Sequence, residues 1–162
     1  MTTAFQLTRA ETAEEFAVAR ELFEEYAAAL DVDLCFQNFE RELNNLAAEY
    51  GPPEGRLLLA SAAGEPVGCV GVRKLADGVC EMKRLYVRPR ARGTGLGRLL
   101  ANEIVGAARE LGYGSMRLDT LPSMKEAVPL YRSIGFKETE AYRYNPVEGT
   151  IYMELDLSEE RG

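Results

Sequence analysis

Apolar residues in the first third of the chain recur at helical spacing. After Thr12, the positions Phe16, Ala19, Phe23, Tyr26 and Leu30 step by three or four and share one face of a helix. Phe36, Phe39, Leu43, Leu46, Ala47 and Tyr50 predict a second helix, which Gly51-Pro52-Pro53 stops because proline cannot continue the hydrogen-bond ladder. The pattern then changes. Short apolar runs over 56–61 and 66–73 flank Ala62-Ala63-Gly64-Glu65 as a hairpin, and Ala76-Asp77-Gly78 turns the chain into a third strand of the meander, Val79 to Val87. A short strand over 5–9 precedes all of these. Leu96, Leu99, Leu100, Ile104, Ala108 and Leu111 outline a helix closed by Gly112. A strand over 115–119 follows it. Ser123-Met124-Lys125-Glu126 reads as a capping box opening a helix that ends at Gly135-Phe136, and residues 150–157 alternate as a closing strand. Helices, meander, strand-helix-strand crossover and closing strands together predict an α/β fold with a mixed, mostly antiparallel central sheet flanked by helices.

The length of 162 residues suits a single domain over 1–162, and 46% hydrophobic with 28% charged residues is ordinary for a globular chain. No apolar run approaches the roughly 18 residues that span a bilayer, and Met1-Thr2-Thr3-Ala4 has no basic segment with an apolar stretch behind it. The expectation is a cytoplasmic protein with no membrane partner. With no histidine, and with Cys35, Cys69 and Cys80 outside any Cys-x-x-Cys spacing, no metal site and no His-dependent triad are expected. Cys69 and Cys80 lie in apolar strands and read as small core residues. A net charge of -7 argues against nucleic acid as partner. The charge is nevertheless uneven. Residues 1–50 carry eleven acids against three bases, while Lys83, Arg84, Arg88, Arg90, Arg92 and Arg98 follow one another with no acid between them.

That basic stretch contains the most informative pattern, Arg92-Gly93-Thr94-Gly95-Leu96-Gly97-Arg98, which joins a predicted strand to a helix start. The first turn of a helix leaves backbone N–H groups unpaired and carries the positive end of the macrodipole. Glycines there let the backbone approach phosphate oxygens, and Arg92 and Arg98 add charge-assisted donors, with Arg88 and Arg90 near for a further phosphate. The alternative is a plain tight turn with solvated arginines. Three glycines at alternate positions flanked by arginines favour anion binding, and the spacing fits neither a P-loop nor a dinucleotide fingerprint.

The sequence here resembles the GNAT acetyltransferase family. Arg92 to Gly97 fits its Arg/Gln-x-x-Gly-x-Gly/Ala motif, and the resemblance extends through Glu81-Met-Lys-Arg-Leu-Tyr-Val87 and Ala127-Val-Pro-Leu-Tyr-Arg-Ser-Ile-Gly-Phe136. It implies acetyl-CoA as co-substrate, held in a V-shaped gap between the fourth and fifth strands, ending at Val87 and near Asp119. By the same resemblance, backbone groups of Leu85, Tyr86 and Val87 hold the pantetheine and polarise the thioester, as preorganised donors facing developing charge. Ladder bonds in a sheet would use the same groups.

The resemblance makes Tyr131 the acid that protonates the leaving thiolate; a phenol with a reference pKa of about 10 suits that task. It makes Glu81 the base for the amine proton, directly or through water. The plain alternatives are a packed tyrosine and a salt-bridged glutamate, with Lys83 two positions along the same face. The chain departs from the family pattern in two places. Met124 stands where an asparagine is common, with Ser123 as a substitute, and Pro129 falls inside the expected helix, where it would kink the axis. Tyr142-Arg143-Tyr144-Asn145-Pro146 is a candidate wall of the acceptor pocket. The expected reaction is acetyl transfer to a primary amine of a small molecule or peptide; a non-catalytic acyl-CoA sensor with the same fold is the alternative. Apolar surface on the first helices or the last strand would suit a homodimer.

Overall fold

The computed structural model describes residues 4–30, 38–124, 127–142 and 147–158. Strand β1 (Gln6–Arg9) leads into helix α1 (Ala13–Leu30). Thr12 caps that helix reciprocally: its hydroxyl accepts from Glu15 N at 3.1 Å, and Glu15 Oε1 accepts from Thr12 N at 2.9 Å. Two short helices follow, α2 (Phe39–Asn44) and α3 (Leu46–Tyr50). The single helix expected over 36–50 is thus two. Asn45 leaves helical geometry (φ −138°, ψ 36°), and its side-chain amide donates to the Arg41 carbonyl, drawing the chain out of the helix.

The meander forms as expected, with β2 (Arg56–Ala62), β3 (Glu65–Ala76) and β4 (Val79–Val87). A 3-10 turn over Pro89–Ala91 leads to α4 (Leu96–Glu110), then β5 (Ser115–Thr120), a second such turn over Pro122–Met124, and α5 (Ala127–Ile134). Strands β6 (Lys137–Thr139), which the sequence pattern did not single out, and β7 (Ile151–Asp156) close the sheet. Pro129 lies within α5, two residues on from Ala127, where the described part of that helix begins. Lys125, Glu126 and the Ser123 side chain of the expected capping box lie outside the described residues.

The seven strands run in the order β1-β2-β3-β4-β5-β7-β6. Only β4 and β5 are parallel, with α4 as the crossover, and both sides of the sheet are covered. Leu58, Ala60, Val70 and Val72 pack with Leu96, Leu100 and Ile104 of α4, while Leu57, Leu59 and Cys69 pack with Leu22 and Phe23 of α1 and Tyr50 of α3.

Two irregularities in β4 set up everything that follows. Its pairing with β5 runs only from Val79↔Ser115 to Glu81↔Arg117, while β5 keeps β7 beside it as far as Thr120↔Ile151. Past Glu81 the sheet therefore splits, as the V-shaped gap requires. On its other side, β4 carries one residue more than β3 between Gly71↔Lys83 and Cys69↔Tyr86, and Arg84 takes a left-handed φ of 61°. Such a bulge bends the strand and shifts its alternation by one. Without it Arg84 would share the apolar face of Cys80 and Met82; with it, Arg84 stands beside Glu42 of α2.

Candidate active site

The glycine turn forms at the start of α4. Gly95 is the N-cap with φ 87°, and Gly93 has φ 77°, both in the left-handed region that costs an L side chain strain. No atom lies within 4 Å of where a Cβ would sit on either residue, so backbone conformation rather than crowding requires glycine here. The first turn of α4 starts at this cap, and the N–H groups of a helix's first turn have no intrahelical partner. Arg98 donates to Ser133 Oγ at 2.7 Å, tying the start of α4 to α5, and the Arg92 Nε donates to the Val87 carbonyl at 3.2 Å.

Two adjoining cavities open from this turn into the split. The outer one, of about 350 Å³, is lined by Leu85, Tyr86, Val87 and Arg92, under Tyr26 and Leu30 of α1. The inner one, of about 20 Å³, lies between the parted strands, lined by Lys83, Leu85, Asp119, Thr120 and Tyr131. Tyr26, Leu85 and Met124 border both. Of the residues expected to hold acetyl-CoA, Leu85, Tyr86, Val87 and Arg92 thus share one wall. Gly93, Gly95 and Gly97 shape the turn above it. Leu96 is packed in the core and Thr94 borders a separate depression, so these two can serve only through their backbone.

Arg88 and Arg90 are both engaged with other parts of the protein. Arg88 turns to α1, donating to Glu25 at 2.6 and 3.0 Å and to the Pro66 carbonyl at 2.9 Å, and Arg90 pairs with Glu65 at 2.6 Å. The acidic face of α1 binds the arginine before any ligand does.

Tyr131 lies at the inner cavity, edge-on to Phe136 at 5.7 Å between ring centres. Burial, with Tyr26 and Asp119 near, pushes its phenol well above the ordinary value, so it stays protonated and able to donate. Met124 fills the wall where an asparagine would bring an amide, and Tyr26 Oη lies 4.0 Å from its sulfur.

Glu81 borders neither cavity. It is fully buried at the last β4–β5 pair, 3.4 Å from Arg73 Nε, its cross-strand neighbour, and its Oε2 accepts from Tyr142 Oη at 2.7 Å. Arg73 is thus a cationic partner of Glu81, and the charge of Glu81 also acts on Lys83. Tyr142 is half-buried and packs against Tyr152; residues 143–146 of the expected acceptor wall lie outside the described residues. Beside this pair, Arg84 grips Glu42 through both carboxylate oxygens at 3.0 and 2.9 Å, and Tyr50 Oη donates to Glu42 at 2.9 Å. Burial raises the Glu42 carboxyl, but the Arg84 fork and the charges of Lys83 and Arg73 bring it below its ordinary value. Lys83 is lowered to about 7, first by burial and then by Arg84. Cys69 and Cys80 are core residues; burial pushes the Cys80 thiol up to about 12, where it stays protonated.

Sequence reasoning did not single out Glu42, Asp119 or Thr120 as site residues, and weighed Lys83 only as a partner for Glu81. A visible signal existed: Glu81, Lys83 and Arg84 are three charges within an otherwise apolar strand.

Residues 11–136 match the model of the Acetyltransferase (GNAT) family, and the chain belongs to that family. It is 49% identical over 139 residues to an uncharacterized N-acetyltransferase of Schizosaccharomyces pombe, covering 85% of each chain. A GNAT-family acetyltransferase of Staphylococcus aureus superposes with a TM-score of 0.77 over 95% of this chain and 99% of that one, at 17% identity. A Salmonella typhimurium protein solved with acetyl-CoA superposes with a TM-score of 0.67 over 98% and 97% of the two chains, at 22% identity. Members of this family use acetyl-CoA and an amine acceptor.

Proposed function

We propose that this protein transfers the acetyl group of acetyl-CoA to a primary amine of a small molecule or peptide by direct attack in a ternary complex. The supporting observation is the continuous path from the glycine turn at α4, along Leu85–Val87, to Tyr131 between the parted strands. The outer cavity is of the size that small-ligand sites have, roughly 300 Å³ and above. Among the described residues no strand pairs with β4 past Glu81 on its β5 side, which leaves backbone polar groups of Leu85 to Val87 to hold an amide arm and a thioester carbonyl.

In this reading Tyr131 protonates the departing sulfur as the new C–N bond forms and the C–S bond breaks. Glu81 takes the proton of the acceptor ammonium, leaving the neutral amine to attack. Buried as it is, Glu81 is linked outward by Tyr142, whose hydroxyl donates to it and which is itself part-exposed. Glu81→Gln should lower kcat, and an unchanged rate and pH profile would remove Glu81 from the reaction. A second reading, an acyl-CoA sensor without turnover, draws on Met124 in place of an amide and on the enclosure of Glu81.

A thermal-shift titration with acetyl-CoA, CoA, ATP and NAD tests the donor site. At about one hundred times Kd a ligand adds roughly 2.7 kcal/mol, which raises Tm by about 5–10 °C for a chain of this size. The shift is expected for the CoA species only. A response confined to ATP or NAD would overturn the reading, and release of CoA thiol with any amine would end the sensor alternative.

A further inference from the structure

Two buried side-chain oxygens in the described residues have no hydrogen-bond partner, Asp119 Oδ2 and Thr120 Oγ1. They belong to consecutive residues at the end of β5, beyond the Glu81↔Arg117 pair where β4 still touches β5, and both residues border the inner cavity. Thr120 is only 3% exposed. A carboxylate oxygen and a hydroxyl oxygen both accept hydrogen bonds, and a buried acceptor left without a donor is destabilising. Oxygens kept in that condition on a cavity wall suit a ligand that brings N–H donors. Neither resident cation donates to them: Arg84 is committed to Glu42 through both carboxylate oxygens, and Lys83, whose charge acts on Asp119, makes no hydrogen bond to either oxygen. A cavity of about 20 Å³ has room for one water-sized group. A primary ammonium has that size, three donors and the compensating charge.

We propose that Asp119 and Thr120 hold the ammonium group of the acceptor, Asp119 through Oδ2 and Thr120 through Oγ1, in the cavity that Tyr131 also borders. The proposal rests on the transfer reading above: Asp119 and Thr120 bind the amine that this reading has attacking the thioester. The amide N–H groups of the pantetheine arm have the same donor chemistry and enter the same gap, so the test separates the two sources.

The full-length protein is assayed for CoA thiol release from acetyl-CoA with n-propylamine, phenethylamine, glycinamide and spermidine, and CoA affinity is measured separately by calorimetry. For the amine that the wild type uses best, Asp119→Asn should raise KM by roughly 10- to 100-fold, the range for a lost charge-assisted hydrogen bond, while kcat and the Kd for CoA change by less than about 3-fold. Thr120→Val, close in shape, should raise KM by a smaller factor, and Asp119→Glu should recover part of the loss. An unchanged amine KM in both Asp119→Asn and Thr120→Val overturns the proposal. So does a Kd for CoA that rises in proportion, which would assign the two oxygens to the cofactor's amide. Binding of CoA by the wild type without thiol release from any of the four amines would instead overturn the transfer reading, and this proposal with it.

Discussion

The two sides of β4 are built to opposite plans within one strand. Toward α4, Cys80 and Met82 join Leu96, Leu100 and Ile104 in a continuous apolar core. Toward α1–α3, Glu81, Lys83 and Arg84 are buried at 0%, 3% and 4% exposure. Apolar burial stabilises the fold in proportion to area, at roughly 25 cal/mol per Å². Burying charge costs several kcal/mol per ion and is tolerated only where partners and hydrogen bonds return it. Glu42, Arg73 and Tyr142 supply those partners to Arg84 and Glu81. The α4 side holds the strand in place, and the opposite side carries the carboxylate that the proposed reaction uses as base. The extra residue at Arg84 keeps a guanidinium out of the apolar core.

The largest test of this division is Arg84→Met. It leaves Glu42 with Tyr50 and with Arg73 at 3.8 Å, and should cost about 3–5 kcal/mol in denaturant unfolding. Replacing both members, Glu42→Gln with Arg84→Met, should recover most of that loss. A single-variant loss below about 1 kcal/mol would mean that the buried pair is not what holds this side together.

On the other side, Tyr131→Phe removes only a hydroxyl from a ring packed on Phe136. It should lower kcat about 10²-fold, equivalent to about 2.7 kcal/mol, with CoA affinity and Tm little changed. Equal losses in stability and rate would make Tyr131 a packing residue.

The smallest effect is pH-dependent and returns to the charged side. Lys83 is lowered from 10.5 to about 7 in the folded chain, so the unfolded chain binds more protons between those values. Stability attributable to this residue therefore rises with pH: the cost of burying the ammonium is full below pH 7 and fades as the pH approaches 10.5. Lys83→Met should raise Tm by a few degrees at pH 6, with the advantage shrinking through that window. A difference in Tm that stays constant from pH 6 to pH 10 would contradict the sign.

Much of the molecule is readable in the residues themselves. The meander, the crossover helix and the closing strand follow from apolar spacing, and the anion-holding turn follows from glycines where φ is positive at a helix start. These are local requirements, settled by the backbone within a few residues, so residue type reports them directly. The break at Asn45 and strand β6 depend on where neighbouring elements begin and end, which periodicity does not register. The acceptor side was least legible. Glu42 and Arg84 are 42 positions apart, Asp119 and Thr120 read as ordinary strand residues, and their burial depends on β4 leaving β5 after Glu81. By itself, the sequence determined the order of elements, the glycine turn and the family. Tertiary structure decided which charges meet, which oxygens stay unpaired and which arginines reach the cavity, because burial and partnership arise only when distant segments pack together.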